Sequence, residues 1–114
     1  MNNLTEALEK CRELVKDDPA MAPLWEVLII PYRGTPTGAL AIALSGAVAK
    51  IPKLRDLGRL IVKFDGTFWR IAWGTDSRLA NTLGDALEPD FAAIRLVNES
   101  LEWLRGKESD AETA

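Results

Sequence analysis

Apolar positions fall into distinct rhythms along the chain. Leu4, Leu8, Cys11 and Val15 recur at intervals of three and four, the spacing of one buried helical face. Asn3 with Glu6 three residues on resembles a capping box with Asn in place of Ser or Thr. A first helix is therefore predicted over about residues 4–16, ended by Asp17, Asp18 and Pro19, since the residue before a proline is biased away from helical geometry. From Trp25 to Tyr32 the run WEVLIIPY is dense in aromatic and β-branched residues. That composition and its short length predict a strand, with Pro31 pushing its end toward a sheet edge. RGTPTG, residues 33–38, reads as a turn. GALAIALSGAVAKI, residues 38–51, fits both periods: Leu40, Ile42 and Leu44 alternate with alanines, whereas Leu40, Leu44, Val48 and Ile51 keep helical spacing. Helix is favoured, because alanine is the best helix former and is depleted in strands, with Thr35 as N-cap and Pro36 as first helical residue. Pro52 closes the segment.

The sharpest local signal is RLIVKF, then Asp65-Gly66, then TFWRIAW, a β-hairpin over residues 59–73 whose two-residue turn requires positive φ. With Phe64 opposite Thr67, strict alternation puts Leu60, Val62, Phe64, Thr67, Trp69, Ile71 and Trp73 on one core face. Arg59, Ile61, Lys63, Phe68, Arg70 and Ala72 occupy the other, with Lys63 across from Phe68 and Ile61 across from Arg70. Ser77 caps a short helix to Leu87, carrying Leu79, Leu83 and Leu87. A last helix follows over about 90–105, with Phe91, Ile94, Val97, Leu101 and Leu104 as its buried stripe and Gly106 as its stop. The polar residues 106–114 are expected to be a disordered tail.

Together these elements predict one α+β domain over residues 1–105: a small antiparallel sheet of three to four strands, covered on one face by the N- and C-terminal helices. The length of 114 residues supports one core rather than two. Composition changes the picture chiefly by what it removes. The chain has no histidine, so triads built on His are excluded, and with a single cysteine the usual Cys and His zinc sites are excluded too. Carboxylate or Lys chemistry, or an oxygen-ligated cation, is what remains for an enzyme. The carboxylate pairs Asp17/Asp18, Asp85/Glu88 and Glu99/Glu102 each have a local explanation, as helix-end decoration or as a partner for Arg95. GTDSR, residues 74–78, lacks the glycine pattern and lysine of a phosphate loop. No catalytic, cofactor or metal residue is assigned. Cys11 lies in an apolar stripe, where a buried structural thiol is expected. The start MNNLTEALEK lacks the apolar core of a secretory leader, and the charge-free run 34–49 is too short for a membrane helix. A cytoplasmic protein is expected.

A net charge of -3 argues against general affinity for phosphate backbones. Charge is nonetheless uneven: residues 50–70 hold six basic side chains (Lys50, Lys53, Arg55, Arg59, Lys63, Arg70) against Asp56 and Asp65. That face suits an acidic protein partner, or a single nucleic-acid strand with Phe68 as a stacking platform, or is a solvated face whose stems cover apolar atoms. Trp103 lies beside the buried stripe of the last helix, and with Leu96 it could form an apolar patch for a partner or a second copy of the chain. The expected partner-binding residues are therefore Arg59, Lys63, Phe68, Arg70 and Trp103. The function expected by elimination is a small module that binds a larger protein (an inhibitor, an immunity-type or anti-defence protein, or a chaperone). A nucleic-acid binder using the basic hairpin face is the alternative.

Overall fold

A long C-terminal helix is the post around which the rest is assembled. The computed structural model describes residues 3–32, 34–64, 66, 67, 69–73 and 88–113. In chain order these form α1 (Asn3–Val15), a 3-10 turn (Pro19–Met21), α2 (Ala22–Leu28), α3 (Ala39–Ala49), α4 (Pro52–Arg55), β1 (Leu60–Phe64), β2 (Trp69–Trp73) and α5 (Pro89–Thr113). The helix expected over 77–87, the carboxylate Asp85 and the GTDSR segment lie outside the described residues.

Between Ala92 and Leu101, α5 buries Ala92, Ala93, Ile94, Leu96, Val97, Asn98, Ser100 and Leu101. Such all-round burial belongs to a helix packed on more than one side. One side meets α1, which contributes Cys11 and Val15; the other meets α3 and the hairpin, which contribute Leu40, Leu44, Val48, Leu60 and Ile71. Each fully buried Leu, Ile or Val stabilises the fold by roughly 1.5–3 kcal/mol relative to exposure. The expected stripe of α5 is present at Ile94, Val97 and Leu101, with Phe91 and Leu104 half-buried. The helix does not stop at Gly106 but continues to Thr113. One interior glycine costs only about 1 kcal/mol against alanine, and Lys107, Glu108, Ala111 and Glu112 around it are good helix formers.

The strand expected over 25–32 is instead α2 followed by a turn. Three features outweigh the β-propensity of Val27, Ile29 and Ile30. Met21, Leu24 and Leu28 are buried at helical spacing. Asp18 Oδ1 accepts the Ala20 N–H at 2.9 Å, starting the 3-10 turn, and a proline then opens α2. At the other end the Arg12 guanidinium donates from Nε (2.9 Å) and Nη2 (2.6 Å) to the Leu28 carbonyl, satisfying a backbone acceptor that the helix cannot. Among the described residues the sheet is consequently two-stranded and antiparallel, not three- or four-stranded. It packs against α3 and α5, whereas α1 packs mainly on α5 and α2, so the N-terminal helix is not the sheet cover expected of it.

Residues 38–51 are helical from Ala39 to Ala49, as favoured, but the N-cap is Gly38 and not Thr35. Gly38 has φ 92°, and the six-membered ring of Trp69 lies where a side chain would stand. The first turn of α3 is capped from a distance: the Gly38 and Ala41 N–H groups donate to Asp90 Oδ2 (3.2 Å) and Oδ1 (2.9 Å). An anionic acceptor at a helix N-terminus satisfies orphan donors and complements the helix dipole. Asp90 thereby bolts the start of α3 to the start of α5.

Candidate functional site

The hairpin pairs Leu60 with Trp73, Ile61 with Ala72, Val62 with Ile71, Lys63 with Arg70, and Phe64 with Trp69. The predicted partner of Phe64 was Thr67, so the register of the two strands is shifted by two residues from the one expected. Gly66 does have positive φ, at 95°. A slip of two preserves every residue's face, because side chains alternate with period two. The inward face therefore holds Leu60 and Ile71, both buried, and half-buried Val62 and Trp69. Phe64 is a correction: at the tip of this face it is 56% exposed, its ring centroid 5.2 Å from that of Trp69. The side chain of Trp73 lies outside the described residues.

On the outward face the slip replaces the predicted cross-strand neighbours. Lys63 stands opposite Arg70 instead of Phe68, and Ile61 opposite Ala72 instead of Arg70. Directly opposed residues have Cβ atoms about 5 Å apart, so two cations share one cross-strand position. Both are exposed, and next to them on the same face Ile61 and Ala72 are half-buried, giving the face a cationic end and an apolar end. Arg59, also exposed, precedes β1. Phe68 lies outside the described residues.

Beside this face runs a cleft of about 260 Å³ lined by Ser45, Ala49, Arg59, Leu60, Ile61, Val62 and Lys63. A depression over one face of a strand would be lined by alternate residues. Five consecutive residues place this one along the edge of β1 that faces away from β2. Ser45 Oγ donates to the Leu60 carbonyl at 2.9 Å and fixes α3 as the opposite wall. Three of the expected binding residues are thus brought together: Arg59 and Lys63 at the cleft and Arg70 across from Lys63. Ser45 and Ala49 were missed. Their exposure is readable once 38–51 is taken as a helix, but their approach to β1 is not.

Trp103 is on α5, 51% exposed, and does not line this cleft. Lys107 Nζ lies 4.9 Å from its ring centroid, covering part of one ring face with a cation. The patch expected of Leu96 with Trp103 does not form, because Leu96 is only 7% exposed and belongs to the core. Trp25, Ile29 and Ile30 at the end of α2 are exposed instead.

The remaining polar groups have structural roles. Glu102 pairs with Lys10 at 2.6 Å between two half-exposed side chains, an ion pair worth about 0–1 kcal/mol. Asn98 donates from Nδ2 to the Ala7 carbonyl at 3.1 Å and joins α5 to α1. Burial pushes the Cys11 thiol up to about 12, against a smaller lowering by the Arg12 charge, so the nucleophilic thiolate is suppressed. Tyr32 is also raised, by burial and then by the negative charge of Asp90. No three acidic or sulfur ligands converge among the described residues.

No protein-family model matches this chain, and no curated protein or solved structure is similar enough to count as a relative. The arrangement of its own side chains is therefore what bears on function. Its outward hairpin face carries a cross-strand cation pair beside two half-buried apolar residues, with a third cation four residues before Lys63.

Proposed function

We propose that this chain is a binding module that docks a larger, acidic protein through the outward face of the β1–β2 hairpin and performs no chemistry of its own. An inhibitor, an immunity-type or anti-defence protein, or a chaperone acts in this way. The reading is carried by one observation: Lys63 and Arg70 face each other across the strands, exposed, beside the half-buried Ile61 and Ala72 on the same face. Concentrated charge speeds encounter with an opposite surface, while covering the neighbouring apolar residues supplies the slower dissociation that makes a complex last. Small binding modules need nothing more, although a fold by itself never decides function.

The test is affinity capture from lysate of the source organism at low and physiological salt, with wild type and the Lys63→Glu/Arg70→Glu double variant. Circular dichroism confirms that both are folded. The expected result is a macromolecular partner that the double variant loses and that salt weakens. An identical set of captured proteins from both would refute the proposal.

A further inference from the structure

Resting on that reading, we infer that the partner contributes an extended acidic segment that adds to the free edge of β1 as a third strand, seated in the cleft between β1 and α3. Three independent features meet there. β1 pairs only with β2 among the described residues, and in an antiparallel pair every second residue turns its N–H and C=O away from its neighbour. Ser45 takes the Leu60 carbonyl. No described residue outside β2 hydrogen-bonds to the backbone of Ile61, Val62 or Lys63. A row of this kind is a template for another strand, and proteins that do not use such an edge usually blunt it with a bulge, a proline or a cover.

The second feature is shape. The cleft follows the strand over residues 60–63 and reaches Arg59 just before it, a run of roughly 13 Å from Arg59 to Lys63 at 3.3 Å per residue. Its volume of about 260 Å³ falls below the range of about 300–1,000 Å³ typical of small-molecule pockets. It is long and shallow, as strand addition requires, and the small side chains of Ser45 and Ala49 leave the α3 wall low.

The third is charge, and it selects the occupant. Arg59 and Lys63 flank the cleft at its two ends, four residues apart and on one side of the strand by alternation. Acidic residues in the added strand that face the same side would meet them, while its apolar residues fall on Ile61. In strand addition the main-chain hydrogen bonds give affinity and the side-chain contacts give specificity. A second copy of β1 would bring Arg59 and Lys63 against their own duplicates, so self-pairing is disfavoured.

The probe is an acetylated, amidated octapeptide alternating glutamate and valine, titrated into the ¹⁵N-labelled full chain at low salt. Expected are shifts centred on residues 59–63 and slowed amide exchange at Val62, which by alternation faces the same edge as Leu60. Methylating alternate backbone nitrogens of the peptide, with its charge unchanged, should weaken binding at least tenfold. Arg59→Glu/Lys63→Glu should weaken it similarly, and a lysine–valine octapeptide should not bind. If the methylated peptide binds as well as its parent, strand addition is wrong while the charged face stands. If neither charge reversal nor salt affects binding, the charged face itself is wrong. Absence of binding, or tighter binding of oligothymidylate with protection of the same amides, would overturn the acidic-segment assignment.

Discussion

Replacing Gly38 by alanine puts a methyl group where Trp69 already sits. An ideal Cβ at this position would stand 2.3, 2.6 and 3.0 Å from three carbons of the Trp69 ring, where unstrained carbon contacts are about 3.5–4.0 Å. The ring cannot swing away freely, because it packs on the core and against Phe64. Moving it should cost about 1–3 kcal/mol, the usual range for overpacking. The backbone adds its own penalty: φ is 92°, and a left-handed conformation costs an alanine about 1–2 kcal/mol. A gain of about 0.4–1 kcal/mol from a stiffer unfolded chain offsets part of this. The net loss is about 1–5 kcal/mol, a large share of the roughly 5–15 kcal/mol that stabilises a domain. Urea unfolding followed by tryptophan fluorescence should show a lower midpoint with an unchanged slope. In a Trp69→Leu background the steric part disappears, and the same substitution should cost at most about 2 kcal/mol. A loss below 1 kcal/mol in the wild-type background, or an equal loss in both, would refute the close packing of Trp69 on Gly38.

Three further outcomes follow from contacts described above. Asp90→Ala removes the acceptor for Gly38 and Ala41 and should destabilise by about 1–3 kcal/mol in urea unfolding. Its effect should be non-additive with that of Gly38→Ala, since both act on one helix start. Arg12→Lys keeps the charge but loses the two-pronged donation to Leu28, and should cost about 1 kcal/mol, measured as a lower thermal midpoint. Cys11 is protonated in the folded chain up to about pH 12 but ionises near 9.0 when exposed. Its contribution is therefore intact below pH 9 and lost as pH rises toward 12, by up to about 4 kcal/mol. Stability measured from pH 8 to 11 should fall more steeply for wild type than for Cys11→Ala.

The parts of this fold that can be read in advance are those set by local rhythm. α1, the core stripe of α5 and the hairpin each follow from periodicity within one segment, and α3 from the helix propensity of its alanines. The hairpin faces survived an error in register because the slip was even; an odd slip would have put Lys63 and Arg70 on opposite faces. α2 was hidden by the β-propensity of Val27, Ile29 and Ile30, although the Met21, Leu24 and Leu28 spacing was present. One of the features that favour the helix is Arg12 reaching Leu28, a contact between residues 16 apart. The same holds for Asp90 on Gly38, 52 residues away. Such contacts depend on how elements pack, and no local pattern carries them. Of the candidate site, Arg59, Lys63 and Arg70 were identifiable from charge and alternation. The α3 wall was not, and Leu96 was misjudged because α5 is buried on more sides than one stripe suggests.

The position of α5 at the end of the described fold also shapes how the molecule comes into being. Ribosomes extend a polypeptide at about 5–20 residues per second, so α1 is made on the order of 5–20 s, and the hairpin on the order of 2–8 s, before α5 is complete. During synthesis their greasy flanks have no proper mate. Completion of the core therefore waits for α5 to be made, and it then joins α1 to α5, the kind of distant closure that slows folding. The nascent chain is consequently most in need of shielding before α5 has emerged.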